Sequence, residues 1–344
     1  METKNTTYVP DLDVLRCLAA ITVFFWHYLH ANGMFPESTY IPAVALFEEG
    51  HIGVSLFMVL SGYLFFKITY QRDIRWGVFA WNRVKRIAPL LMVFQAFWLV
   101  VGFMGLVEYT FLDFLKGFVI HSWPGVAWSI TVELHFYLLL PLLLFIAHRN
   151  PRHLLGFLVL LLVLKATIIA GLAPSIRYYT IIGRLDQFVM GALCFVYWRQ
   201  IPAWLGGVFF GLFLVYLEIF NAGGGHALFN EGQNAYFPPG FMRYAVEGLG
   251  LAGLLVWVLK SGWNIKGTRL WSAMAWVGTV SYSFYMLHYF VLRAWYYALD
   301  KFDIGLWPRL ALAIPALALV LFVSWVSYEL VEKPFLRTRA KYVD

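Results

Sequence analysis

The chain has 344 residues, of which 61% are hydrophobic and only 13% charged, with a formal net charge of +7. Soluble domains carry about twice that share of charged residues, so a water-soluble enzyme is excluded and an integral membrane protein is expected. The basic excess follows membrane topology, set out below, and leaves nucleic-acid binding without support.

Met1–Pro10 is polar and a long apolar stretch follows at once, so no cleavable signal peptide is expected. The first predicted span, 12–30, contains Arg16 and His27. Eleven steps of about 100° return to within roughly 20° of the start, so both side chains lie on one helix face, about 16 Å apart along the axis. A mid-span Arg costs on the order of 3 kcal/mol in lipid. The stripe must therefore face protein, water or a ligand, and it is the best lead to function. Further spans follow near 52–70, 88–107, 126–147, 154–173, 184–199, 203–220, 241–259, 270–297 and 310–329. The ninth is too long for one straight span, leaving a piece that can end as a surface helix. The expected fold is an all-α integral membrane bundle of about ten helices, and the alternation of a membrane barrel is not visible. With the N-terminus inside, 17 of the 26 basic residues fall on the cytoplasmic side and six on the other, so both termini are expected in the cytoplasm. A single membrane domain over 1–344 is expected, with no fused extracytoplasmic domain. Cys17 and Cys194 read as buried small hydrophobes, and neither has Cys-x-x-Cys or metal-ligand spacing.

Polar residues concentrate in a few islands. The predicted inner loop Gln71–Ala88 carries Arg72, Arg75, Arg83, Lys85 and Arg86 beside Trp76, Phe79 and Trp81. It reads either as an anchor in anionic headgroups or as a receptor for a phosphorylated ligand, since Arg forks bind phosphate. In the fourth span Glu133 shares a face with Ser129, Phe136 and Tyr137, whereas His135 projects about 200° away. Arg184, Asp186, Lys165, Glu218, Glu247 and Arg293 are material for buried ion pairs. Ser61-Gly62 reads as small residues for close helix packing. Ser281 and His288 share a face, with Tyr285 between them in sequence. Gly-x-Ser-x-Gly, Gly-x-x-x-x-Gly-Lys and His-Glu-x-x-His are absent, so hydrolase, nucleotidase and zinc-protease readings lack support.

Taken in order, these islands resemble the membrane-bound acyltransferase-3 family of bacterial carbohydrate O-acyltransferases. The resemblance rests on Arg16-x10-His27, Gly53-Val54-Ser55-Leu56-Phe57 leading to Ser61-Gly62-Tyr63, and Asn82-Arg83-Val84-Lys85-Arg86-Ile87-Ala88-Pro89. It continues through Trp128-Ser129 with Glu133 to Pro141, Arg184-Leu185-Asp186-Gln187-Phe188, Ser281-Tyr282-Ser283 to His288, and Glu332-Lys333-Pro334. Ser55 stands where many relatives carry Asp, Lys85 interrupts a paired-arginine pattern, and His135 stands where Gln is common.

The resemblance implies a ten-helix inner-membrane enzyme that moves an acyl group, commonly acetyl from acetyl-CoA, to a hydroxyl of an envelope saccharide. Acyl-CoA would be a co-substrate, with no bound cofactor or metal, and the partners would be the lipid bilayer and a saccharide or lipid-linked glycan. His27 is the expected general base, since imidazole has the right basicity. Glu133 is expected to orient it, and Arg16 to bind donor phosphate or hold the helix face through an ion pair. Arg83, Arg86 and Lys85 are expected to attract the donor phosphates. Ser61, Arg184, Asp186, Tyr285 and His288 are expected in support. A transporter or flippase for an envelope glycan is the alternative, because intramembrane Arg, His and Glu suit a substrate or proton pathway equally well.

Overall fold

The computed structural model describes residues 8–30, 45–225, 242–261, 266–302 and 304–343. Its main helices are α1 (Pro10–His30), α2 (Ile52–Thr69), α3 (Trp76–Phe103), α4 (Trp128–Arg149), α5 (Arg152–Thr167) and α6 (Ile181–Tyr197). They continue as α7 (Ala203–Ala222), α8 (Arg243–Lys260), α9 (Arg269–Thr279), α10 (Ser281–Leu299) and α11 (Ala313–Ser327). Among the described residues there is no β-strand, only an isolated bridge between Ile74 and Val343. In lipid every backbone polar group must be satisfied within its own segment, which is why the apolar runs fold as helices.

Among the described residues, eight helical segments are long and apolar enough to cross a membrane. Helices α8 and α10, with 18 and 19 residues, reach the same length. They are more polar: α8 carries Arg243, Glu247 and Lys260, and α10 is rich in tyrosine. The long ninth span breaks at Val280, between α9 and α10. Its extra turns stand at its beginning rather than its end, because α9 packs along α1 so closely that a Cβ on Gly278 would meet the Asp13 carbonyl at 1.8 Å.

Helices α2 and α6 cross with their backbones in near contact. A Cβ on Gly62 would lie 2.0 Å from the Phe188 carbonyl, and one on Gly191 would lie 2.0 Å from that of Val59. The small-residue reading of Ser61-Gly62 therefore holds, and the crossing sets the depth at which Arg184 and Asp186 enter the interior. Asp186 pairs with Lys165 of α5 at 2.6 Å. Arg184 is fully buried, donating to Ser55 Oγ at 3.1 Å and to the Tyr178 carbonyl at 3.0 Å. Glu247 accepts from Arg243 at 2.9 Å and from Ser55 at 2.5 Å. Thus Ser55 belongs to this internal network, while Arg293, expected as ion-pair material, is exposed.

α2 runs back alongside α1, with Gly53 against Ala19–Val23. The segment after α2 meets the C-terminus: the Arg75 amide donates to the Tyr342 carbonyl at 2.9 Å. The start of α1, residues 70–76 and the C-terminal segment therefore lie at one end of the bundle. The expected inner loop Gln71–Ala88 is helical from Trp76 onward. Phe79, Ile87 and Leu90 bury one face of this first stretch and draw it into the bundle.

Candidate functional site

Two cavities open into the bundle, and α1 contributes to both. One, of about 120 Å³, is basic and is lined by Arg16, Arg83, Arg86, Glu133, Tyr137 and Tyr282 among others. The second, of about 710 Å³, is aromatic and includes Trp26, Trp128, Tyr178, Tyr179 and Tyr289, together with His27. Val54 and Tyr285 belong to both linings. The one-face stripe of Arg16 and His27 thus faces two interior cavities, with Arg16 in the basic one and His27 in the aromatic one.

Helix geometry explains the basic lining. Arg83 and Arg86 are three residues apart and so project together, whereas Lys85 is turned away from Arg83 by about 200°. Lys85 is accordingly outside the cavity, donating to the Thr338 carbonyl at 2.7 Å. Arg86 pairs with Glu332 at 3.2 Å. Glu332 ends a π-helical turn, Tyr328–Glu332, and also accepts from Ser283 at 2.5 Å. The Arg83 guanidinium lies 5.1 Å from the Phe65 ring centre and 5.5 Å from that of Phe79, a cation–π setting. Arg16 makes an ion pair with Asp13 at 2.8 Å and stands on the cavity wall. Ser61 lines the same cavity.

Glu133 stands on this wall too, with Ser129 and Tyr137 at helical spacing, and accepts a hydrogen bond from the Tyr137 hydroxyl. It is not the partner of His27. The four-residue repeat that unites Ser129, Glu133 and Tyr137 turns the carboxylate into the basic cavity, whereas His27 lines the other. His135 turns away as its spacing requires, contacting the Phe118 carbonyl at 2.9 Å.

The partner of His27 is His288. Its Nε2 lies 3.1 Å from His27 Nδ1. His288 Nδ1 lies 2.7 Å from the Tyr285 carbonyl and 3.1 Å from that of Phe284, so this nitrogen must carry the proton. His288 Nε2 is then an acceptor. His27 Nδ1 faces that acceptor and the Val23 carbonyl at 3.0 Å, so it must be the donor. In neutral His27, Nε2 is left holding the lone pair, the state a general base requires. The tautomer is assigned from these partners.

Of the remaining expected residues, Tyr285 donates to the Val126 carbonyl at 3.0 Å at the seam between the cavities. Arg184 and Asp186 line neither cavity. Arg184 instead lies 4.6 Å from the Tyr178 ring centre and 5.8 Å from that of Trp128, backing the aromatic wall. The aromatic lining itself was not singled out from sequence. Its members come from α1, α3, α4, α10 and the intervening loops, with no shared spacing to connect them. His121, in one of these loops, stacks on Tyr179 with ring centres 4.0 Å apart, and burial lowers its pKa from the ordinary value.

Comparison with known proteins matches residues 9–329 to the profile of the acyltransferase-3 family, described as an acyltransferase domain. Relatives include a provisionally named peptidoglycan O-acetyltransferase, YrhL of Bacillus subtilis, 24% identical over 85% of this chain and 50% of its own length. The peptidoglycan O-acetyltransferase OatA of Listeria monocytogenes is 24% identical over 96% of this chain and 57% of its own. Nodulation protein 10 of Rhizobium leguminosarum bv. viciae is 27% identical over 82% of this chain and 83% of its own. The chain thus spans about half the length of the first two. No solved structure matches it significantly.

Proposed function

Since the chain belongs to the acyltransferase-3 family, we propose that this multi-pass membrane acyltransferase takes an acyl group, acetyl in the simplest case, from cytosolic acyl-CoA to a hydroxyl of an envelope saccharide. The observation that carries this reading is the His27–His288 pair: a base with its lone pair fixed on Nε2, in an aromatic cavity adjoining a basic one.

The basic cavity suits the donor. Arg83 and Arg86 offer forked, charge-assisted bonds to phosphate, and the end of the bundle they occupy carries the basic excess expected of the cytoplasmic side. The thioester end is a thin chain that would reach toward Val54 and Tyr285. The aromatic cavity suits the acceptor, because the C–H faces of a sugar ring lie well against aromatic rings. Two relatives named for peptidoglycan O-acetylation make a saccharide acceptor the natural choice.

In the reaction, His27 Nε2 takes the proton of the acceptor hydroxyl as its oxygen attacks the thioester carbonyl. The C–O bond forms, the C–S bond breaks, and the imidazolium returns the proton to the departing thiolate. His288 accepts the Nδ1–H throughout and helps to stabilise the cation. Arg16, beside the path on α1, contributes positive charge to the donor side. A bacterial inner membrane is the location that gives such an enzyme cytosolic donor and envelope acceptor together. The family assignment removes the chain from the transporter class that its intramembrane charges had raised.

The test is release of free CoA from acetyl-CoA by protein in nanodiscs, with and without an envelope-glycan extract. His27→Ala should lower glycan-dependent release by about 10²–10⁴-fold and leave donor binding intact. Transfer at the wild-type rate by purified His27→Ala would sink the base assignment, and wild-type protein that releases no thiol would sink the donor assignment.

A further inference from the structure

The C-terminal segment 338–343 reads Thr-Arg-Ala-Lys-Tyr-Val, too short and polar to form a packed element alone, yet it is held along its length. The Asn82 side chain donates to the Ala340 carbonyl at 2.7 Å and accepts from its amide at 3.2 Å. Arg75 donates to the Lys341 carbonyl at 2.5 Å, and Lys85 to that of Thr338 at 2.7 Å. Tyr342 and Val343 are each only 1% exposed, and the Tyr342 ring centre lies 6.0 Å from the Arg83 guanidinium. The residues that grip the segment, Arg75, Asn82 and Lys85, bracket Arg83 on its own stretch of chain.

This grip brings in another cation. Arg339 Nε and Nη2 are buried without a hydrogen-bond partner, as is Arg83 Nε. Burial, then the neighbouring charges of Arg86 and Arg83, push the Arg339 guanidinium down to about 9. An arginine keeps its charge at neutral pH. Arg339 sits between Thr338, held by Lys85, and Ala340, held by Asn82, so its chain runs beside the stretch that carries Arg83 and Arg86, and Glu332 is already engaged by Arg86. Buried donors left unsatisfied beside like charges ask for an acceptor that is itself negative and has several oxygens.

We propose that the C-terminal segment is part of the anion site, with Arg339 joining Arg83 and Arg86 to bind a diphosphate-type group. This rests on the donor reading above for the identity of the natural ligand, the diphosphate-bearing acyl-CoA, but its chemistry does not depend on the thioester. Arg339 lies ten residues beyond the end of the family match at 329. Main-chain contacts hold the segment in place, so the Arg339 side chain can be changed without releasing it.

The experiment measures Kd for inorganic pyrophosphate and for CoA by calorimetry on the full chain in nanodiscs, comparing wild type, Arg339→Gln, Arg339→Lys and the exposed control Arg337→Gln. Arg339→Gln should weaken both ligands roughly ten-fold or more, as loss of a charge-assisted pair predicts. Arg339→Lys should lose less, and Arg337→Gln should match wild type. Equal binding by wild type and Arg339→Gln overturns the proposal and leaves the donor reading intact. Arg339-dependent pyrophosphate binding without CoA binding supports the site and removes the donor reading. Wild-type protein that binds neither ligand overturns both.

Discussion

At the scale of single residues, the proposed reaction turns on which nitrogen of His27 carries a proton, and His288 and the Val23 carbonyl together hold it on Nδ1. His288→Leu removes one of the two acceptors facing Nδ1, leaves the Val23 carbonyl, and takes away the group that would help to stabilise the imidazolium. It should lower the turnover number by about 10²-fold with the donor KM unchanged, and His288→Gln, which can still accept that proton, should recover much of the loss. Steady-state kinetics on the two variants decide the point, and equal activity in His288→Leu and wild type would refute the role. His121 provides a separate handle on the aromatic cavity. Its folded pKa is depressed by burial, whereas in the unfolded chain it titrates near the ordinary value of about 6.5. Above that pH both states are neutral and nothing is gained or lost. As pH falls through about 6.5 toward the lower folded value, the unfolded state binds the proton first and stability falls. Tm should therefore drop more between pH 7.5 and pH 5.5 in wild type than in His121→Phe.

At the scale of helices, α2 is the septum. Its Val54 is 5% exposed and belongs to both cavity linings, so its size governs what passes between them. Val54→Phe should cut acyl transfer at least about ten-fold while leaving CoA affinity unchanged, at a packing cost of about 1–3 kcal/mol. Transfer and binding measured on one preparation separate the two effects. The same scale shows what the sequence could disclose. Arg16 and His27 were legible because they share one helix, and a fixed angular step places both on a stripe whose membrane cost demands a purpose. The basic pair was legible in composition but misread in form: an amphipathic start of α3 looks like a loop when charges hide the buried face of Phe79 and Ile87. Glu133 could be placed on its own helix with Ser129 and Tyr137, but the helix it faces is set by tertiary packing. The His27–His288 contact joins residues 261 apart in sequence, and no local pattern encodes such a pairing.

At the scale of the whole molecule, the apolar runs foretold a helical bundle because lipid allows little else, and the division of charge leads us to expect the end with the basic excess in the cytoplasm. The structure sets the start of α1, the 70–76 segment and the C-terminus at one end, so a single label tests their side. Cys17 and Cys194 are buried, and Lys341 is exposed. Lys341→Cys should therefore react with a membrane-impermeant maleimide only after cells are opened, and labelling of intact cells would reverse the topology. The long pairing of Arg86 with Glu332, 246 residues apart, also fixes an order of assembly. Membrane proteins are made from the N-terminus onward, so α3 enters the bilayer with Arg86 still lacking its carboxylate. A nascent chain stopped before residue 332 carries every element of the His27 pair and an incomplete basic wall. Arg86 therefore gains its carboxylate only once the chain through residue 332 has been made, and a chain stopped short of that residue should transfer acyl groups more slowly than one that includes it.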